Sequence, residues 1–201
     1  MIKLLSDKIA YFLEDRNLIE SEDNEVCSFG LEVLISSLIN SILVLTLGII
    51  LNKFLQTLVF VGCYCYIRQY SGGYHASSHT KCILTFLCMY LATILIADSI
   101  HDIHSKVMII AISTINWTSI YLLSPAEHAN NPLSNDELIR NQKKARIRVT
   151  VFLLFTIIGS QVQQVYEYTV YSALALCWIN FMLILQVIKN KGDANYEKTV
   201  R

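Results

Sequence analysis

Long apolar runs alternate with short polar joints along this chain, and the pattern predicts helices that cross a membrane. Six runs stand out, at about 30–51, 54–67, 83–99, 107–123, 150–165 and 169–188. A helix rises about 1.5 Å per residue, and a bilayer core takes about 20 residues to cross. The first and last runs reach that length. The second offers about 14 apolar residues and covers roughly two-thirds of the distance, so it must borrow polar neighbours or lie where the bilayer is thinned or filled by protein. The fifth is diluted at its end by Gln161, Gln163 and Gln164. Ahead of all six, Ile2, Leu5, Ile9, Phe12 and Leu13 recur at helical spacing with charges on the other face. Residues 1–16 therefore read either as an amphipathic helix lying in the membrane interface or as a solvated helix packed on a neighbouring loop. Lys3, Asp7, Lys8, Glu14 and Asp15 interrupt this stretch too often for a secretory leader. The predicted fold is all-α and membrane-embedded, with six transmembrane helices and an N-terminal interfacial helix in one domain spanning 1–201.

Composition strengthens this reading. Hydrophobic residues make up 54% of the chain and charged residues only 16%, against about 25% charged in an ordinary globular domain. The mean hydropathy is +0.45. A soluble domain could not cover so much apolar surface with so few charges. The formal net charge is zero, which excludes a basic face for nucleic acid. Lys and Arg also report topology. Six spans with both ends inside place 14 of the 16 on the cytoplasmic side: Lys3, Lys8 and Arg16, then Arg68 and Lys81, the five between Arg140 and Arg148, and four after residue 188. Only Lys53 and Lys106 fall outside. An odd number of spans fits this bias worse.

Between the fourth and fifth runs, Pro125 and Pro132 break the chain, and Ser134 with Glu137 has capping-box spacing. The helix expected there carries Arg140, Lys143, Lys144, Arg146 and Arg148. It serves either as a topogenic stop touching lipid headgroups or as a dock for an acidic peptide segment. Six cysteines show no CxxC pair and no secreted disulfide spacing. Cys63, Cys65, Cys88 and Cys177 lie inside apolar runs as small hydrophobes, whereas Cys82 lies where a polar segment meets an apolar one.

That polar segment, 68–82, reads Arg-Gln-Tyr-Ser-Gly-Gly-Tyr-His-Ala-Ser-Ser-His-Thr-Lys-Cys. The Gly72-Gly73 pair permits positive φ and marks the end of the second span. Irregular backbone at membrane depth persists only where protein or a wet cavity satisfies it, so a cavity near the cytoplasmic boundary is expected. Cys82 is a nucleophile candidate, because a thiol is partly thiolate at neutral pH and a nearby imidazole or cation raises that fraction. His75, His79, Arg68 and Lys81 are near it in sequence. On one straight helix His75 would lie about 10 Å from Cys82 along the axis, whereas His79 at i−3 would be adjacent. Spacing alone favours His79. A metal reading also exists, with His75, His79 and Cys82 on one helical face, but no HExxH accompanies them, and His101 and His104 fall on the opposite membrane face.

Arg68, then Ser71-Gly72-Gly73-Tyr74-His75-Ala76, then Cys82 form one ordered motif. Pro125-Ala126-Glu127-His128, continuing through Asn131-Pro132-Leu133, forms a second. With these motifs the chain resembles the accessory gene regulator B (AgrB) family, membrane cysteine endopeptidases that process quorum-sensing peptide precursors. The similarity in length and hydropathy covers essentially the whole chain. The resemblance implies catalytic roles for His75 and Cys82 and assigns none to His79. It reverses the preference from spacing and requires that residues 75–82 are not one straight helix. It further implies a two-step acyl transfer through a Cys82 thioester, with His75 as base and then acid, and release of a thiolactone or lactone. No metal or other cofactor is called for. The implied partners are a short precursor peptide and the lipid bilayer of a bacterial cytoplasmic membrane, with the active site facing the cytoplasm. Backbone N–H groups near Cys82 or the Arg68 side chain are candidate oxyanion donors; Arg68 is alternatively a cation supporting the Cys82 thiolate or a snorkelling side chain, and Gly72 and Gly73 shape the backbone. A homodimer is compatible with membrane packing, although no span carries a convincing small-xxx-small face. The rival reading is a non-catalytic peptide transporter subunit, in which the glycines are a hinge and Cys82 is packing.

Overall fold

The computed structural model describes residues 2–74, 78–100, 103–126 and 134–200, with backbone alone for 79, 103–105 and 193–200. Among the described residues there are seven α-helices and no strand. They are α1 (Ile2–Asp15), α2 (Asn24–Ile50), α3 (Phe54–Ser71), α4 (His79–Asp98), α5 (Ile103–Leu123), α6 (Asn135–Gly159) and α7 (Tyr166–Val200).

Each predicted run has its helix, and local chemistry sets the ends. The α2–α3 turn closes where Asn52 takes φ 56° and the Lys53 N–H bonds the Gly48 carbonyl at 2.7 Å. Ser78 caps α4, its side chain accepting from the Lys81 N–H. α5 stops at Leu123, just ahead of Pro125, as the restriction on residues preceding proline requires. Ser134 and Glu137 form the expected capping box, both bonds being present. That box starts α6 well before the fifth apolar run, so the basic segment and that run are one continuous helix. Gln161–Gln164 lie in the turn beyond it rather than in a span.

Among the described residues four segments are long and apolar enough to cross a membrane: Ser21–Ile50, Thr80–Asp98, Lys106–Leu123 and Tyr166–Gly192. Large side chains on them face outward, as Val26 (73% exposed), Leu95 (72%) and Val107 (73%) do. Such surfaces suit lipid and would be a liability in water. α3 and α6 fall short of that mark, α3 through its polar residues and α6 through its basic first half. α3 runs past its apolar stretch to Ser71, and its 18 residues span about 27 Å at the usual rise.

The core is organised around α7. Val170, Tyr171, Ala173, Ala175, Leu176, Ile179, Met182 and Leu183 are buried against α3, α4, α5 and α6. Polar groups inside the bundle meet across helices: Trp178 donates to Thr93, Trp117 to Thr150, and Asn180 to Asn116 while accepting from Ser119. α1 lies antiparallel on the start of α2 through Ser6 and Ala10, with Ser28 donating to Asp7 at 2.5 Å and Ser21 to Glu14 at 2.6 Å. The helix thus packs on its neighbour by its small residues. Of the apolar stripe read from the sequence, Leu5 and Phe12 face outward.

Two groups of contacts fix the ends of the bundle. At one end Lys53 pairs with Asp98 at 3.0 Å and Glu167 at 2.8 Å, which joins the α2–α3 turn to the end of α4 and the start of α7. At the other end the Ala126 N–H bonds the Ser71 carbonyl and the Tyr74 N–H bonds the Met182 carbonyl, each at 2.9 Å. This second group holds the segment after α3 against α7 and the stretch that follows α5.

Candidate active site

The anchored segment 71–74 is where the glycine pair acts. Gly72 takes φ 67° and Gly73 φ 125°, conformations that L side chains rarely adopt. A Cβ on Gly72 would run into the Ala126 carbonyl oxygen, and one on Gly73 into the Arg68 guanidinium. The Gly72–Ala126 pairing forms an isolated parallel bridge, so the two sequence motifs meet in space. Arg68 completes the anchor from the last turn of α3. One Nη donates to the Gly72 carbonyl, and Nη2 donates to the Tyr74 carbonyl at 2.5 Å. The Arg68 guanidinium is engaged with these two carbonyls. It clamps the loop.

The chain then leaves the helical region before α4. Ser78 is extended, with φ −149° and ψ 152°, so residues 75–82 are not one straight helix. Cys82 lies in the first turn of α4, its N–H bonded to the Ser78 carbonyl at 3.0 Å. Backbone N–H groups without intrahelical partners at such a terminus accommodate negative charge. The residue is partly buried and its thiol is free. Its neighbour is the Asn40 side chain of α2, whose Nδ2 stands 4.0 Å from Sγ. The Tyr64 phenol of α3 lies within electrostatic reach of both Arg68 and Cys82. His75 lies outside the described residues. His79 opens α4, and its side chain likewise lies outside them, as does the metal reading that rests on both. Glu127–Leu133 of the second motif, including Pro132, also falls there, and so does His101.

The basic helix contributes to the same end of the molecule. Arg148 donates to the Tyr66 carbonyl at 2.6 Å, with its guanidinium over the rings of Tyr66 and Tyr70 at 3.7 and 3.9 Å. Lys144 sits over Tyr70 at 4.9 Å, and Arg146 donates to the Tyr121 carbonyl at 3.1 Å. These cations fasten α6 to α3 and α5. Glu137, at the exposed start of α6, is held below the usual carboxylate range by the backbone and side chain of Ser134.

Sequence reasoning passed over Asn40 and Tyr64. For Asn40 a signal existed, since an amide in the middle of an apolar run is costly and marks a special position. Ser36, Asn40, Val44 and Gly48 also recur every four residues and are the buried face of α2. Tyr64 is one of 11 tyrosines and carries no comparable mark.

Fold and site together define a helical membrane protein with a free cysteine at a helix start, beside a glycine loop clamped by arginine. The chain belongs to the accessory gene regulator B family, whose model matches residues 6–188. It is similar to accessory gene regulator protein B of Staphylococcus carnosus, with 31% identity over 149 residues covering 72% of this chain and 75% of that protein. It is also similar to putative AgrB-like protein 2 of Clostridium perfringens, 26% identical over 160 residues covering 77% of this chain and 75% of the relative. Accessory gene regulator protein B of Staphylococcus aureus is 27% identical over 154 residues, covering 76% and 80%. No solved structure matches the chain.

Proposed function

We propose that the chain is a membrane cysteine endopeptidase that cleaves a short quorum-sensing precursor peptide on its C-terminal side and directs the acyl fragment into a ring. The observation that carries this reading is the position of Cys82: a free thiol in the first turn of α4, set off by a backbone break from the clamped glycine loop. The family membership supplies the substrate class. Cys82 attacks the scissile carbonyl, His75 takes the thiol proton and returns it to the leaving amine, and the N-terminal part stays as a thioester. An internal thiol or hydroxyl of the peptide then displaces Cys82 to give a thiolactone or lactone. Exclusion of water protects the thioester until that happens. Ser78 is compatible with the assignment of His75, because its extended backbone ends the single straight helix on which that histidine was out of reach.

Six crossings with both termini in the cytoplasm fit the same picture. α3 runs beside α4 and α7 between the same two groups of end contacts, and both those helices are long enough to span. α6 likewise runs from the Tyr66 and Tyr121 level to the turn ahead of α7. The charge bias then turns the site toward the cytoplasm.

Co-expression with the precursor peptide tests the reading. Cys82→Ala and His75→Ala each leave the precursor uncleaved while the protein still reaches the membrane. Normal cleavage by the Cys82→Ala protein would sink the enzyme and favour a peptide transporter subunit. Activity lost in His79→Ala but kept in His75→Ala would move the base to His79.

A further inference from the structure

An acyl transfer through Cys82 needs a donor for the negative charge that develops on the scissile carbonyl oxygen. Arg68 is already committed to two backbone carbonyls. Asn40 presents a different situation. It is 9% exposed near the middle of α2, in surroundings where a buried amide lacking good partners costs about 1–3 kcal/mol. Its one side-chain hydrogen-bond contact among the described residues is Sγ of Cys82, at 4.0 Å. That separation is too long for a short bond to the thiol itself.

The distance suits another acceptor. When Sγ bonds a carbonyl carbon, the carbonyl oxygen stands one bond beyond that carbon. A donor offset from sulfur by 4.0 Å can then reach the roughly 2.7–3.1 Å required of an oxyanion donor. The face of α2 that carries Asn40 is fixed against α3, where Gly48 packs so closely on Thr57 that a Cβ would collide with it. The backbone that carries the amide is therefore fixed before substrate arrives, as electrostatic stabilisation demands.

We propose that Asn40 is the side-chain oxyanion donor of the Cys82 acyl-transfer site, an inference that rests on the endopeptidase reading above. In the step it serves, the Cys82 thiolate forms a C–S bond to the acyl carbon and the carbonyl π pair moves onto oxygen, to which the Asn40 N–H donates a hydrogen bond. Collapse expels the leaving group and leaves the thioester. Asn40 acts on the oxygen and not on the sulfur. Reactions at Cys82 that pass through no oxyanion are indifferent to it.

Two small probes separate these cases in the full chain reconstituted in lipid vesicles. p-Nitrophenyl acetate acylates a thiol through a tetrahedral oxyanion and releases p-nitrophenolate; iodoacetamide alkylates by direct displacement and forms none. Rates at Cys82 are read by mass spectrometry of the peptide that contains it, with N-acetylcysteine in the same buffer as the reference thiol. Asn40→Leu, which keeps the packing volume and removes the donor, is expected to slow acetylation at Cys82 by about tenfold or more. Alkylation at Cys82 is expected to change less than about threefold, and Asn40→Gln to recover part of the acetylation. Equal losses with both probes would place Asn40 on the thiol or the fold and overturn the assignment. If wild-type Cys82, normalised to alkylation, is acetylated no faster than N-acetylcysteine, the endopeptidase reading itself falls and Asn40 with it. If Cys82 leads and Asn40→Leu preserves that lead, the endopeptidase reading stands and the oxyanion assignment alone is overturned.

Discussion

The Arg68 Nη2 donates to the Tyr74 carbonyl at 2.5 Å, so the last turn of α3 directly holds the residue that precedes His75. The clamp is two-pronged, because the same guanidinium also serves the Gly72 carbonyl. Lysine carries the charge but not the planar fork. Arg68→Lys is therefore expected to lower precursor cleavage by about 10²-fold, the scale of a misplacement near 1 Å at a reacting centre. Alkylation of Cys82 by iodoacetamide and recovery in the membrane fraction should stay near wild type. Full cleavage by the lysine variant would show that charge alone suffices.

The two glycines should respond unequally to alanine. At Gly73 a Cβ meets the Arg68 guanidinium at a φ of 125°, so Gly73→Ala both strains the backbone, by about 1–3 kcal/mol, and displaces the clamp. At Gly72 the collision is with the Ala126 carbonyl, which disrupts the link between the two motifs. Gly72→Ala should speed hydrogen exchange at the Ala126 N–H, and both variants should lose at least tenfold in precursor cleavage. Gly30, with open space around it in α2, is the control: Gly30→Ala should be tolerated and slightly stabilising, since alanine is the better helix former.

These contrasts show which features could be read from the sequence. Helix positions followed from apolar periodicity, and the ends at Gly72, Pro125 and Ser134 followed from backbone and capping chemistry that is local. The break that separates His75 from Cys82 was required by the family resemblance and contradicted by the preference from spacing, which assumed an unbroken helix. The clamp role of Arg68 was not legible, because it depends on which way two carbonyls turn after a positive φ. Asn40 stood out as an amide within an apolar run, but its partner was hidden for a different reason. Its meaning comes from a partner 42 residues away, and one sequence contains no information on which helix faces bring such pairs together. For α1 the apolar stripe was legible, but not that Ser6 and Ala10 form the face that packs on α2.

Lys53 offers a test of the opposite end of the bundle. Its ammonium pairs with Glu167 and Asp98, and these hydrogen bonds push its pKa up from 10.5. A raised folded value means the stabilisation is fully present below about 10.5 and is lost only as pH climbs through the higher folded value. The carboxylate partners are about half exposed, so the two pairs together contribute no more than about 2 kcal/mol. Lys53→Met should lower the thermal midpoint in detergent modestly and by the same amount across about pH 6 to 9. The gap between variant and wild type should narrow above pH 10.5 and in high salt. A penalty that grew with alkalinity would contradict the ion-pair origin.

The same lysine calibrates the number of crossings. Lys53 ties the start of α3 to Asp98 at the end of α4 and to Glu167 at the start of α7, so these positions share one side of the membrane. Gln69 is exposed in the last turns of α3, beyond the apolar stretch. If α3 crosses, Lys53→Cys should react with a membrane-impermeant maleimide added outside intact cells, whereas Gln69→Cys should react only after the cells are opened. Lys191→Cys, past the apolar part of α7, should behave as Gln69→Cys does. The labelling is read against chains carrying each substitution singly, with background from the native cysteines subtracted. Protection of both Lys53→Cys and Gln69→Cys from the outside reagent, or labelling of both, would mean that α3 returns to its own side. The six-crossing arrangement, and with it the cytoplasmic placement of Cys82, would then have to be abandoned.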